Sequence, residues 1–117
     1  MRYERKIPLL GCADEHLREI LLGRWKIKLI YYISTGVARP GQLQKKIPQA
    51  SRRVLDMQLN QLVKHEIIRK TFFDEPVPRA EYVLTEFGHS LLPVLMCMIA
   101  WGKDNSRKLK KLINNRP

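Results

Sequence analysis

The chain has 117 residues, 44% of them hydrophobic and 28% charged, which is room for one folded domain and argues against wholesale disorder. Twenty-two Lys and Arg face eleven Asp and Glu, a formal net charge of +11; a polyanion relieves such self-repulsion, with nucleic acid the first candidate and an anionic membrane surface the second. No run approaches the about 18 apolar residues of a membrane span, residues 1–10 lack the apolar stretch of a secretion signal, and Cys12 and Cys97 form neither a Cys-x-x-Cys metal pattern nor a disulfide framework, so a cytosolic chain with reduced thiols, no membrane partner and no cofactor is expected.

Asp14–Leu22 reads as a short helix. Leu17, Ile20 and Leu21 recur at i, i+3, i+4, Asp14 and Glu15 suit the positive end of its dipole, and Gly23 is a stop. Trp25–Ser34 is a second helix, with Trp25, Leu29, Tyr32 and Ile33 on one side and Gly36 ending it. Val37–Pro40 is a short strand or a loop, and Gly41–Ile47 is a brief third helix closed by Pro48. Ser51–His65 is the clearest helix: Leu55, Leu59 and Leu62 fall at i, i+4, i+7, and the Ser51 hydroxyl can cap its first amides. The period then changes. Ile67–Phe73 and Ala80–Leu84 are β-rich, and Pro76 and Pro78 between them demand a loop, so the pair reads as a hairpin with a stiff tip. Thr85 caps a helix that Pro93 divides or kinks, and a last helix runs from about Val94 to Ile113. The order predicts a mainly α chain with one small β-hairpin (α+β): a winged helix-turn-helix with added N- and C-terminal dimerisation helices. Its parts are an arm and helix over 1–24, a winged core over 25–85 and dimerisation helices over 86–117.

From Arg39 to Arg53 there are five cations, Arg39, Lys45, Lys46, Arg52 and Arg53, and no acid. With Leu55, Leu59 and Leu62 turned to the core, about 100° per residue places Arg53, Asp56, Met57 and Asn60 on the opposite side, with Arg52 at its flank. Arg reads guanine and Asn reads adenine in the major groove, so that face suits base readout. Ser51 and nearby amides at the helix start suit a phosphate, as do Arg39, Gln42, Lys45 and Lys46. The bland reading is a solvated amphipathic face; the overall charge and the hairpin that follows favour DNA. Asp56 either accepts from cytosine or pairs with Arg52 or Arg53, and pairing is preferred. At the hairpin tip Arg79 either enters a minor groove or pairs with Glu75 or Glu81.

Leu91, Leu92, Leu95, Met98, Ile99 and Trp101 form an apolar band wider than one helix needs against its own domain. The simplest cover is a second copy, with Leu17 and Ile20 joining the interface, which sets two reading helices about 34 Å apart on a palindrome. The alternatives are a buried core helix, or a module that docks a different protein through this band. Lys103–Arg116 carries six cations and one acid. Cys12 precedes the first helix, where amides, Lys6 and Arg18 favour a thiolate; it is either a candidate redox sensor, with an oxidant or small electrophile as effector, or an inert residue. Cys97 is expected in the packing. His16, His65 and His89 show no triad or zinc spacing and no Gly-rich phosphate loop exists, so an enzyme is not expected. RNA binding lacks an exposed aromatic pair on a sheet.

Several blocks occur in order: Cys12-Ala13-Asp14-Glu15, Leu22-Gly23-Arg24-Trp25-Lys26, Ala50-Ser51-Arg52-Arg53-Val54-Leu55 with Gln58-Leu59 and Leu62, and Pro78-Arg79-Ala80-Glu81-Tyr82-Val83-Leu84-Thr85-Glu86-Phe87-Gly88-His89-Ser90-Leu91. Together, over about Cys12 to Gly102, they resemble the HxlR-type winged-helix transcriptional regulators, related to the MarR group. The resemblance implies a homodimer built from the first and last helices that binds double-stranded operator DNA. It puts the reading helix at Ser51–His65 and the wing at Ile67–Thr85. In some members a cysteine at the position of Cys12 senses quinones, aldehydes or hypochlorite. The chain departs from the family pattern at Ala13, where proline is usual, and at Pro40, where an aromatic residue is usual.

Overall fold

The computed structural model describes residues 10–114; Lys6, Arg116 and the rest of the arm over 1–9 lie outside the described residues. The elements run α1 (Ala13–Leu21), α2 (Lys26–Ser34), α3 (Pro40–Lys46), α4 (Arg52–Lys64), β1 (Ile68–Phe73), β2 (Arg79–Leu84), α5 (Glu86–Asp104) and α6 (Ser106–Asn114). This is the expected α+β winged helix-turn-helix arrangement, with the break between the last two helices displaced.

Local chemistry sets most boundaries. Gly36, at φ 100°, closes α2: its N–H donates to the Ile33 carbonyl (3.1 Å) and the Val37 N–H to that of Tyr32 (3.0 Å). Pro40 stands at the first position of α3, where its missing N–H costs nothing, and the Gln42 Oε1 accepts from the Arg39 N–H at 3.4 Å. The Ser51 Oγ accepts from the Val54 N–H at 3.1 Å and starts α4. The far end of α4 repeats the closure of α2 without a glycine. Glu66 takes the left-handed conformation at φ 62°, with the Glu66 N–H on the Val63 carbonyl (2.9 Å) and the Ile67 N–H on that of Leu62 (3.0 Å).

The core lies between α2, α3, α4 and one face of the hairpin, centred on Leu29, Ile30, Leu43, Leu55, Leu59 and Leu62. β1 and β2 pair antiparallel, with Ile68 opposite Leu84, Lys70 opposite Tyr82 and Phe73 opposite Arg79. Val37–Pro40 is not a strand, but the Tyr82 N–H donates to the Ala38 carbonyl at 2.8 Å and ties the hairpin to the α2–α3 connection.

Two expectations change at the C-terminal end. Pro93 does not divide the helix: α5 passes through it unbroken. The Thr85 hydroxyl accepts from the Gly88 N–H at 2.9 Å on one side of Pro93, and Leu95 is buried on the other, so both halves are anchored. The break comes instead at Asn105, whose side-chain amide donates to the Trp101 carbonyl at 2.9 Å and competes with the backbone there. Before Pro93, the first turn of α5 lies hard against the chain leaving α4. A Cβ on Gly88 would stand 2.0 Å from the Ile67 carbonyl oxygen. Thr85 holds the same corner, with its N–H on the Ile67 carbonyl (3.1 Å) and its hydroxyl within hydrogen-bond distance of the Glu66 and Ile67 carbonyls.

Candidate nucleic-acid interface

The 3.6-residue repeat turns Leu55, Gln58, Leu59 and Leu62 of α4 inward and leaves Arg52, Arg53, Met57 and Asn60 exposed, with Asp56 half-buried. Met57 is 50% exposed, more than a packed methionine would be. Gln58 is the polar member of the inner face: its Oε1 accepts from the Trp25 N–H at 2.9 Å and fixes the start of α2 against α4. α4 is therefore held from behind while its cationic face stays open.

On the wing side of α4 lies a cleft of about 400 Å³, lined by Arg39, Arg52, Asp56, Asn60, Lys70, Arg79 and Tyr82 among others. It brings together five of the residues singled out from the sequence, Arg39, Arg52, Asp56, Asn60 and Arg79. Arg53 and Met57 are exposed on α4 but do not line it, and neither do Gln42, Lys45, Lys46 or Ser51. The side-chain oxygens of Gln42 and Ser51 already cap their own helices. Lys70 was missed: it lies opposite Tyr82 in the hairpin, with its Nζ 5.9 Å from the Tyr82 ring centre. Only the strand register reveals that placement.

Charges inside the cleft are partly matched. The Arg52 Nε meets the Asp56 Oδ1 at 3.1 Å, one helical turn apart. The Arg79 Nη1 meets Glu75 at 2.9 Å and its Nε meets Glu81 at 3.1 Å, while the guanidinium lies 4.7 Å from the centre of the Phe73 ring. Burial pushes the Tyr82 phenol above its ordinary value; Asp56 adds to this, and Arg52 opposes it. Arg39 and Lys70 carry no ion pair among the described residues.

The apolar band divides. Leu95, expected at an interface with a second copy, is 1% exposed in the chain's own core, because its side of α5 packs on the winged core. Leu91, Ile99 and Ile20 are half-buried, whereas Leu17, Met98 and Trp101 are exposed, Trp101 by 61%. Cys12 is exposed at the N-cap of α1 and its side chain makes no capping bond. Cys97 is exposed too, which corrects the expectation that it packs: it falls on the outer side of α5. No described helix is long and apolar enough to cross a membrane.

Comparison with known proteins agrees with this arrangement. A family model for HxlR-like helix-turn-helix proteins matches residues 20–110. YdeP, an uncharacterized HTH-type transcriptional regulator of Bacillus subtilis (strain 168), is 34% identical over 102 residues, covering 87% of this chain and 80% of YdeP. Among solved structures, the redox regulator HypR in its reduced form superposes with a TM-score of 0.79 at 30% identity, over 85% of this chain and 98% of that one. A MarR-family transcriptional regulator from Porphyromonas gingivalis W83 gives 0.76 at 32% identity, over 86% and 99%. With a match over most of its length and α4 followed by the β1–β2 hairpin, this chain belongs to the HxlR-like helix-turn-helix family of transcriptional regulators.

Proposed function

We propose that the protein is a homodimer that binds a palindromic operator in double-stranded DNA, one reading helix in each of two successive major grooves. The observation that carries this reading is the open face of α4 beside a cationic cleft: Arg52, Arg53, Met57 and Asn60 free of the core, with Arg39 and Lys70 across the cleft. Arg53, Met57 and Asn60 read bases, and Arg52 joins them from its pair with Asp56. Arg39, Lys70, Lys45, Lys46 and the helix start at Ser51 hold phosphates; Arg79, tied to two glutamates, contributes least. Gln42 serves by capping α3.

The second copy covers Leu17, Met98 and Trp101, with Ile20, Leu91 and Ile99 at the edges, while Leu95 stays within its own protomer. All of 1–117 then works as one domain, the winged core reading DNA and the terminal helices pairing it. A relative whose structure is that of a redox regulator, and an exposed Cys12 at a helix start, support an oxidant or electrophile as effector. Diamide should then lower operator affinity in the native chain and leave Cys12→Ser unaffected.

The deciding experiment is a salt titration of duplex binding, using a site selected from a random library. Six or more engaged phosphates give a slope of log affinity on log salt steeper than about −5. Arg53→Ala should weaken the selected site by about 1–3 kcal/mol and relax preference at one base pair. A nearly flat salt response would sink the reading, and equal weakening on random duplex would make Arg53 a phosphate clamp.

A further inference from the structure

On the flank of α4 away from the wing, a second and smaller cavity opens between α1, α2 and α4. Its volume is about 180 Å³, and Glu19, Leu22, Lys26, Gln61, Lys64 and His65 line it. We propose that it binds a small free oxyanion, a carboxylate or inorganic phosphate, between Lys26, Lys64 and His65. The proposal does not depend on the DNA reading.

Lys26 is the reason. It opens α2 and is 1% exposed, yet no ion pair or side-chain hydrogen bond among the described residues involves it. A largely desolvated ammonium with no close ion pair, only Glu19 at longer range, is costly, and proteins resolve it by pairing or by coordination. The neighbours do not supply the pair. The Gln58 Oε1 is committed to the Trp25 N–H, and Glu19, though it lines the cavity, lies beyond ion-pair distance. The lysine is also seated. Its Cδ and Cε pack over Gly23, where an added Cβ would stand 3.1 Å from each. Burial pulls the Lys26 ammonium below its ordinary value, although Glu19 acts against this.

Two more groups converge on the same space. His65 ends α4, and its Nδ1 is buried with no partner. Lys64 stands beside it in the last turn and adds a second cation. Two ammonium groups against one carboxylate leave the cavity net positive, and the His65 side chain lines it beside them. The volume is well under the ~300 Å³ of pockets for drug-sized ligands, so the occupant is small. A duplex phosphate is excluded as the source, because a lysine 1% exposed cannot reach one. A bound anion would join α1 to the tail of the reading helix.

The test follows the His65 ring signals by NMR in the DNA-free full chain at constant pH. Sodium phosphate and sodium acetate are each titrated against sodium chloride of equal ionic strength. A saturable shift with phosphate or acetate, absent with chloride, is expected. Lys26→Met and Lys64→Gln should each raise the half-saturation concentration at least tenfold; Lys64→Gln lies on the surface and keeps the test decisive if Lys26→Met does not fold. Shifts that match chloride, or folded variants that saturate with native affinity, would overturn the proposal.

Discussion

One hydrogen atom on Gly88 lets the start of α5 meet the backbone at Ile67. Any side chain there would drive a carbon to 2.0 Å from a carbonyl oxygen that neither helix nor strand can move aside. Gly88→Ala should therefore cost more than about 3 kcal/mol, read as a fall in the urea midpoint at unchanged slope. Lys26 makes a pH-dependent prediction. Its folded-state pKa lies below the ordinary 10.5, so the folded chain binds fewer protons than the unfolded chain between those two values. The penalty on stability is full below the folded value and fades as pH climbs toward 10.5. Lys26→Met should therefore be more stable than the native chain at neutral pH in chloride-only buffer, and the two should converge near 10.5. Urea melts at both pH values measure this. The burial itself left a trace in the sequence: Lys26 stands four before Ile30 and seven before Ile33, on the core stripe of its helix. A charge on that stripe reads as an error of alignment until the cavity that receives it is visible.

Elements were legible in the sequence where a local rule acts alone. Ser51 and the Leu55–Leu59–Leu62 repeat specify α4, and Pro76 and Pro78 specify the hairpin tip; each was expected within a residue or two of where it stands. Expectation failed where distant packing outweighs the local rule. No local signal marks Glu66, which closes α4 in a conformation usually given to glycine, with Ile67 and Leu62 both buried in the core on either side of it. Pro93 remains inside α5, held by the cap before it and by Leu95 after it. It still removes one N–H from the ladder. Pro93→Ala should then stabilise the chain by on the order of 1–3 kcal/mol, seen as a higher melting temperature with unchanged helix boundaries in the amide spectrum. Of the interface, the outward face of α4 followed from periodicity alone. Lys70 did not, because its place beside Arg52 depends on which residue of β2 it faces.

The molecule measures 68 × 39 × 22 Å with a radius of gyration of 17.3 Å, where a compact chain of this length would have about 13 Å. The excess length and the bare Trp101 suit a protomer drawn out to meet its twin. Light scattering should return twice the 13.8 kDa chain mass, and Trp101→Asp together with Met98→Asp should return the single mass while retaining the native amide pattern of the winged core. The corner at Glu66–Ile67 gives such a pair a mechanical property. Thr85 and Gly88 grip it from α5, and the tail of α4 and the root of the hairpin both issue from it. If the protein pairs through α5 as proposed, a tilt of that helix against its twin swings α4 and the hairpin with it, and the spacing between the two copies of α4 changes by a multiple of whatever small motion began between the helices.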